Sequence, residues 1–250
     1  MTLPDLTTAQ WALAAAAAAG IGLSKSGFAG LGMFHIVVFA QLYGARASTG
    51  IILPMLVVGD LSAVAAFRRH ARWEHIGRVL PPTIVGIIVG WLAMHRIDEA
   101  RFKPLLGAVV LGLALLQIAR MARPQWFNDV PHARWFAYTL GFIAGVTTML
   151  VNGAGPIVAL YLLAVGLPKY EFVGTGAWFF LIVNILKLPL SAEQGLITWE
   201  TLVLNAKLAP CVVAGLVAGK FLVKFVPQRL FDFLLLLFVA TAALRLLGVF

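Results

Sequence analysis

The sequence predicts an all-α integral membrane protein built from two inverted repeats of about five helical segments each, with broken or re-entrant helices. Three observations carry this prediction: the composition, the succession of apolar segments and an internal repeat. Of the 250 residues, 61% are hydrophobic and only 12% are charged, and the mean hydropathy is +0.95. A soluble domain carries about twice that share of charged residues. The chain is therefore expected to lie largely within a bilayer.

Ten apolar segments follow one another along the chain with only short polar connections. They cover residues 9–23, 31–42, 47–67, 76–94, 102–118, 135–150, 156–165, 172–190, 202–223 and 230–247. A helix needs about 20 apolar residues to cross the hydrocarbon core of a bilayer. Segments 31–42 and 156–165 are shorter, so each is expected to pair with the segment before it, for example as a hairpin. Crossing and re-entrant arrangements of these two segments both remain open.

Short sequence matches relate the two halves of the chain at nearly constant spacing, as in an internal repeat. In chain order they pair Gly30-x-Gly32 with Gly153-x-Gly155, Thr49-Gly50 with Thr175-Gly176, Trp73-Glu74 with Trp199-Glu200, and Pro81, Gly86 and Gly90 with Pro210, Gly215 and Gly219. The offsets are 123, 126, 126 and 129 residues, which implies short insertions. The sequence therefore predicts a first transmembrane repeat over residues 1–121, a cytoplasmic linker over 122–134 and a second repeat over 135–250.

The distribution of basic residues predicts how the repeats are oriented. Segment 68–78 holds four arginines, whereas its equivalent, 191–198, holds neither lysine nor arginine. Cytoplasmic loops are enriched in Lys and Arg, so equivalent loops of opposite charge bias are expected on opposite sides of the membrane. With segment 68–78 in the cytoplasm, eleven basic residues fall inside and five outside. Both termini are then expected in the periplasm.

Several function classes are excluded by the remaining composition. The formal charge of +9 comes from basic residues in short loops, which favours membrane orientation over nucleic-acid binding. A single cysteine, Cys211, excludes an intrachain disulfide and a cysteine metal cluster. No His, Cys, Asp or Glu grouping has metal-ligand spacing, and no nucleophile motif such as G-x-S-x-G occurs. We therefore expect no enzyme activity, no cofactor and no metal.

Two glycine-rich breaks interrupt the apolar segments at equivalent places, residues 20–32 and 145–156. Paired broken helices point to the binding site of a transporter, because the helix ends expose backbone groups and partial charges. The candidate substrate-binding residues lie in the breaks and on the eighth segment. They are Ser24, Lys25, Ser26, Gly27, Thr147, Thr148, Asn152, Gly153, Asn184 and Lys187.

Charged side chains within apolar segments are costly and often mark function. The sequence places four there or in the breaks: Lys25, Asp60, Lys187 and Lys207. We expect Lys25 and Lys187 to hold an anion and Asp60 to be a proton-coupling site or a partner that orients a lysine. The alternative is a structural ion pair. Lys207 is better explained by snorkelling to the interface. His35, alone in an apolar segment, is expected to be a packed core residue.

The breaks Gly27-x-x-Gly30-x-Gly32 and Asn152-Gly-Ala-Gly-Pro156, in a short duplicated multi-helix chain, resemble those of the TauE/SafE family of sulfite exporters. The resemblance covers nearly the whole chain. It implies a transporter of the bacterial inner membrane that exports sulfite or a C2 organosulfonate such as sulfoacetate. The implied partners are a small inorganic or organic anion and the lipid bilayer, with further copies of the chain as an open alternative. A passive anion channel and a non-transporting membrane assembly protein are the alternative functions.

Overall fold

A computed structural model describes residues 3–26, 31–123, 134–222 and 228–249 of the chain. These residues form ten α-helices and a 3-10 turn at Arg68–His70. The helices are α1 (Thr8–Ser24), α2 (Leu31–Tyr43), α3 (Ala45–Phe67), α4 (Trp73–Arg96), α5 (Glu99–Ala122), α6 (Arg134–Val151), α7 (Gly155–Ala164), α8 (Lys169–Glu193), α9 (Trp199–Leu222) and α10 (Gln228–Leu246). Each predicted apolar segment coincides with one helix, so the predicted all-helical fold class is confirmed. Gly27 and most of the predicted linker, residues 124–133, lie outside the described residues.

Within the described residues, six helices are long and apolar enough to cross a bilayer: α3, α4, α5, α6, α8 and α9. Helices α2 and α7 have only 13 and 10 residues. At about 1.5 Å per residue they extend roughly 20 and 15 Å, less than the ~30 Å hydrocarbon core. Each follows a longer helix, α1 or α6, across a break and packs against it. The two short predicted segments are therefore half-helices of a multi-pass membrane protein.

Local sequence determines where the helices next to the breaks begin and end. Helix α1 starts with a capping box, in which the Gln10 side chain accepts a hydrogen bond from the Thr7 backbone N–H at 2.9 Å. Helix α6 ends before Asn152, whose φ of 56° lies in the left-handed region that asparagine tolerates better than most residues. Pro156 follows in the first turn of α7, where its missing N–H is not needed. The second break is thus encoded by the residues within it.

Equivalent helices of the two halves have equivalent packing partners. Helix α1 packs on α9, and α6, the equivalent of α1, packs on α4, the equivalent of α9. Helices α3 and α8 pack together, as do α5 and α10, and each of these pairs joins equivalent helices. This exchange symmetry is consistent with two structural repeats. Their inversion across the membrane remains a prediction.

The α1–α9 and α4–α6 pairs approach so closely that only glycine fits at the crossing points. At four positions an added Cβ would lie 1.9 to 2.2 Å from a carbonyl oxygen of the facing helix: Gly22, Gly86, Gly145 and Gly215. Gly145 stands 123 residues after Gly22, and Gly215 stands 129 after Gly86, which are offsets of the internal repeat. The α1–α9 and α4–α6 crossings are therefore equivalent under the internal repeat.

Helix α8, which carries Asn184 and Lys187, is tied to the α4 region at both ends. At its start, Arg72 Nε donates a hydrogen bond to Glu171 at 2.7 Å, and this contact raises the pKa of the Arg72 guanidinium. At its end, Trp91 Nε1 donates to Glu193 at 3.1 Å. Exposed contacts of this kind add little stability. Their consequence is to fix the position of α8 relative to α4.

We expect cysteines introduced at Arg69 and Ala192 to be labelled from opposite sides of the membrane. Both positions are exposed, and they lie in the equivalent segments 68–78 and 191–198, which have opposite charge bias. The measurement is labelling with a membrane-impermeant thiol reagent in right-side-out and inside-out vesicles, on a Cys211→Ala background. Labelling of both cysteines from one side would contradict the inverted repeat.

Candidate functional site

A cavity of about 200 Å³ lies among helices α1, α2, α3, α5, α6, α7 and α8. Gly32, in the first turn of α2, and Gly155, the first residue of α7, both border it. A Cβ added at either glycine would meet no atom of the described residues within 4 Å, so both backbones border open space in that part of the chain. The first turn of a helix carries a partial positive charge and unpaired N–H groups. In α7, Pro156 has no N–H and the Ile157 N–H donates to the Ala154 carbonyl at 3.1 Å, so the partial charge is the main contribution of that end. The cavity therefore receives two helix N-termini, one from each half of the chain.

The cavity extends toward one end of the helical bundle. Its lining includes Ala63 near the end of α3, Gln117 and Arg120 near the end of α5, and Phe172 near the start of α8. These helix ends lie on the side of the 3-10 turn and the arginine-rich segment 68–78. Among the described residues, the opposite helix ends contribute nothing to the lining. The cavity is therefore one-sided.

A buried ion pair lies at the cavity wall. Lys25, at the C-terminal end of α1, places its ammonium nitrogen 2.6 Å from Oδ1 of Asp60 on α3 and 4.8 Å from the centroid of the Phe180 ring. The Asp60 side chain is completely buried, and the Asn184 amide nitrogen donates a hydrogen bond to its Oδ2 at 2.7 Å. A buried carboxylate needs such compensation. The Lys25 side chain retains 15% exposure and lines the cavity.

The ammonium group of Lys187 is enclosed by oxygen acceptors just behind the cavity wall. It donates hydrogen bonds to Asn152 Oδ1 at 2.6 Å, to Thr148 Oγ1 at 3.1 Å and to Asn184 Oδ1 at 3.3 Å. Lys187 itself is not among the lining residues, but all three of its acceptors are. An ammonium group has three protons, so these three contacts account for all of its donors. Lys187 therefore fixes polar lining side chains in place.

The Lys25–Asp60 ion pair and the Lys187 ammonium group occupy related positions in the two halves of the chain. Thr148 stands 123 residues after Lys25, and Lys187 stands 127 residues after Asp60, close to the offsets of the repeat. In the first half the cation comes from the end of α1 and contacts α3. In the second half the cation lies on α8 and contacts the end of α6. Asn184 bridges Asp60 and Lys187, so one buried network joins both halves.

The other predicted site residues are distributed unevenly around the cavity. Ser24 lines it, with its hydroxyl donating to the Ile21 carbonyl at 2.7 Å. Three further candidates are absent from the described lining: Ser26, Thr147 and Gly153. The hydroxyls of Ser26 and Thr147 donate to carbonyls of their own helices, which is a local structural role. Gly153 is buried, and its added Cβ would lie 2.7 Å from Leu113.

Three polar lining residues are not among the site residues predicted from the sequence: His35, Gln117 and Arg120. His35 was expected to be a packed core residue, and it is buried, but its ring also borders the cavity. Arg120 is one of the eleven basic residues predicted on the cytoplasmic side, and it lies near the C-terminal end of α5, where it borders the cavity. The available signal was the spacing of Gln117 and Arg120, which places both on one face of a helix.

Lys207 lies away from the cavity, and no metal-binding group is found in the described part of the chain. The ammonium nitrogen of Lys207 is 5.8 Å from the centroid of the Trp11 ring, and Lys207 is not among the described lining residues. No three His, Cys, Asp or Glu side chains in the described part of the chain come together in a group that could hold a metal ion. Among the described residues, the polar character of the cavity is given by Lys25, by amide and hydroxyl side chains, by Arg120 and His35, and by two helix N-termini.

Comparison with known proteins agrees with this architecture. The sequence matches the family profile described as "Sulfite exporter TauE/SafE" over residues 13–246 of the 250. No curated protein and no solved structure matches it. The matched family consists of membrane transporters of sulfite and related sulfur anions rather than enzymes. The chain belongs to the TauE/SafE family of sulfite exporters.

Proposed function

We propose that the protein exports a small sulfur-containing anion, sulfite or a C2 organosulfonate such as sulfoacetate, across the bacterial inner membrane. The observation that carries the proposal is the convergence of two helix N-termini, at Gly32 and Gly155, and of Lys25 on one cavity. Helix N-termini bind oxyanions because their free N–H groups and partial positive charge face the ligand. Lysine adds a charge-assisted donor, which helps to replace the hydration of the anion.

The size and charge of the cavity fit a small anion. Its volume of about 200 Å³ is smaller than the ~300–1,000 Å³ typical of pockets for drug-sized ligands. Lys25 and Lys187 together outweigh the single carboxylate of Asp60 in the buried network. In our proposal Lys25 contacts the anion directly. Lys187 contributes its positive charge and orients Thr148, Asn152 and Asn184 toward the site.

The one-sided cavity supports a carrier rather than an open channel. A channel needs a continuous path, whereas this cavity extends only toward the end that bears segment 68–78. With that end in the cytoplasm, as the charge distribution predicts, the cavity faces the side from which an exporter loads its substrate. Both termini then lie in the periplasm.

Asp60 is proposed to couple anion binding to protons. Its carboxylate holds Lys25 at 2.6 Å, so an incoming anion and Asp60 compete for the same ammonium group. A protonated Asp60 carries no charge and no longer forms an ion pair with Lys25, so the Lys25 ammonium group can pair with the anion instead. The proposal is that proton uptake at Asp60 favours binding and that proton release favours dissociation.

The proposed site predicts that Gly155→Ala weakens the binding and transport of sulfite at least tenfold, the equivalent of about 1.4 kcal/mol. The new methyl group would point into open cavity space at the start of α7 without meeting another atom. It would therefore hinder the approach of the anion to the helix N-terminus without disturbing the packing. The measurement is isothermal titration with sulfite, together with sulfite flux in proteoliposomes under an imposed gradient.

Gly112→Ala is the matched control, because Gly112 is an exposed residue of α5 whose added Cβ also meets no atom within 4 Å. It should bind and transport sulfite like the wild type. Absence of saturable flux in the wild type would contradict the carrier, and flux that never saturates would favour a channel. Equal sulfite affinity in Gly155→Ala and Gly112→Ala would remove the start of α7 from the site.

A further inference from the structure

The imidazole of His35 is a buried polar group whose hydrogen-bonding capacity is not used by the protein. The residue is 2% exposed, lies in the second turn of α2 and borders the cavity. Neither ring nitrogen has a hydrogen-bond partner of normal geometry among the described residues. The Leu31 carbonyl, one turn earlier, interacts with the ring but can engage at most one of the two nitrogens. Buried polar groups without a partner are rare in folded proteins and call for an explanation.

The other polar side chains at this wall already have protein partners. Lys25 is paired with Asp60, and Asn184 bonds both Asp60 and Lys187. The amide nitrogen of Asn152 donates to the Thr49 carbonyl at 2.9 Å, while its oxygen accepts from Lys187. His35 differs from them, because it lines the same cavity while neither of its two buried ring nitrogens has a hydrogen-bond partner of normal geometry among the described residues.

The position of His35 on α2 explains what it can reach. It follows Gly32 by three residues, so the two lie on the same face of the helix, and both border the cavity. An anion held at the start of α2 would therefore lie beside the imidazole as well as the backbone N–H groups. The equivalent position in the second half is Val158, 123 residues on, which also lines the cavity but offers no donor. Of these two equivalent positions, only His35 in the first half offers a hydrogen-bond donor.

We propose that His35 is a substrate-contacting residue that donates a hydrogen bond from its imidazole to an oxygen of the bound oxyanion. This inference rests on the proposed function and adds a specific contact to it. A neutral imidazole has one N–H donor, and a charged oxyanion is a stronger acceptor for it than the Leu31 carbonyl, which the ring meets without normal hydrogen-bond geometry. The contact also gives the cavity a polar side toward His35 and an apolar side toward Val158. A sulfonate can then bind with its oxygens on the first side and its carbon substituent on the second.

The test compares His35→Phe, His35→Gln and the control Tyr43→Phe by titration with sulfite and with isethionate. Tyr43 also lies on α2 with a buried hydroxyl that has no partner in the described residues, but it does not line the cavity. We expect His35→Phe to bind both anions roughly ten- to a hundredfold more weakly, the usual effect of losing a hydrogen bond to a charged group. His35→Gln keeps an N–H donor and should stay within a few-fold of the wild type. Tyr43→Phe should match the wild type.

Thermal unfolding of each variant separates a binding role from a packing role. A packing role would shift the melting temperature of the His35 variants and leave the affinity of the folded protein unchanged. Wild-type affinity in folded His35→Phe would overturn the inference while the proposed function stands. If His35→Phe fails to fold, equal loss of affinity in His35→Gln and a folded His35→Leu would overturn it, because the donor would then not matter. Absence of binding in the wild type would overturn the proposed function and this inference together.

Discussion

Replacing Lys25 by methionine is expected to weaken sulfite binding by about 1.5–3 kcal/mol, the usual worth of a hydrogen bond to a charged group. Methionine keeps an unbranched side chain of similar length but removes the cation at the cavity wall. The same change should destabilise the fold by about 3–5 kcal/mol, because it leaves the completely buried Asp60 carboxylate without its charge partner. The measurements are isothermal titration with sulfite and thermal unfolding in detergent.

The double variant Lys25→Met/Asp60→Asn separates the two effects. An asparagine at position 60 carries no charge, so most of the lost stability should return. Binding should remain weak, since the cation is still absent. Recovery of both stability and affinity in the double variant would contradict the binding role and make Lys25 a structural ion-pair partner of Asp60.

The helices could be predicted because the bilayer leaves the chain few alternatives. Backbone groups within lipid must be paired inside the segment, so an apolar run of sufficient length becomes a helix. Segment 47–67 accordingly falls within α3, which covers Ala45–Phe67. The second break could also be predicted, since Asn152 and Pro156 favour the end of one helix and the start of the next. These features depend on residues that are close together in sequence.

The partner of Asp60 could not be predicted in the same way. The repeat spacing places Asp60 at nearly the same depth as Lys187, but equal depth on two helices does not imply contact. Contact also depends on how each helix is rotated about its axis, and for α3 and α8 that rotation is set by their packing on each other and on neighbouring helices. In the structure Asp60 pairs with Lys25 at 2.6 Å, and Asn184 links it to Lys187.

The position of His35 at the cavity could not be predicted, because the sequence of an apolar segment does not show where a cavity will form. An isolated histidine among apolar residues resembles a core residue in sequence, and its burial agrees with that expectation. Only the packing of α2 against its neighbours reveals open space beside the ring. Arg120 was missed as a lining residue for a related reason, since a basic residue at the end of an apolar segment is expected to orient the helix rather than to line a site.

Asp60→Asn is expected to abolish the pH dependence of anion binding. In the wild type, the ionised carboxylate competes with the anion for Lys25, so affinity should fall as pH rises through the titration of Asp60. One linked proton limits the slope to about tenfold per pH unit. The asparagine variant cannot ionise, so its affinity should stay constant and equal the high value that the wild type reaches at low pH.

The measurement is titration with isethionate between about pH 5 and 8, the range in which histidine also changes charge. Sulfite itself takes up a proton in this range, whereas the sulfonate of isethionate stays ionised, so only protein groups contribute to the slope. The other charged or titratable groups near the site are Lys25, Lys187, Arg120 and His35. His35→Phe is therefore the control, and it should bind more weakly but keep the slope of the wild type. A slope that persists in Asp60→Asn and disappears in His35→Phe would transfer the proton-linked role from the carboxylate to the imidazole.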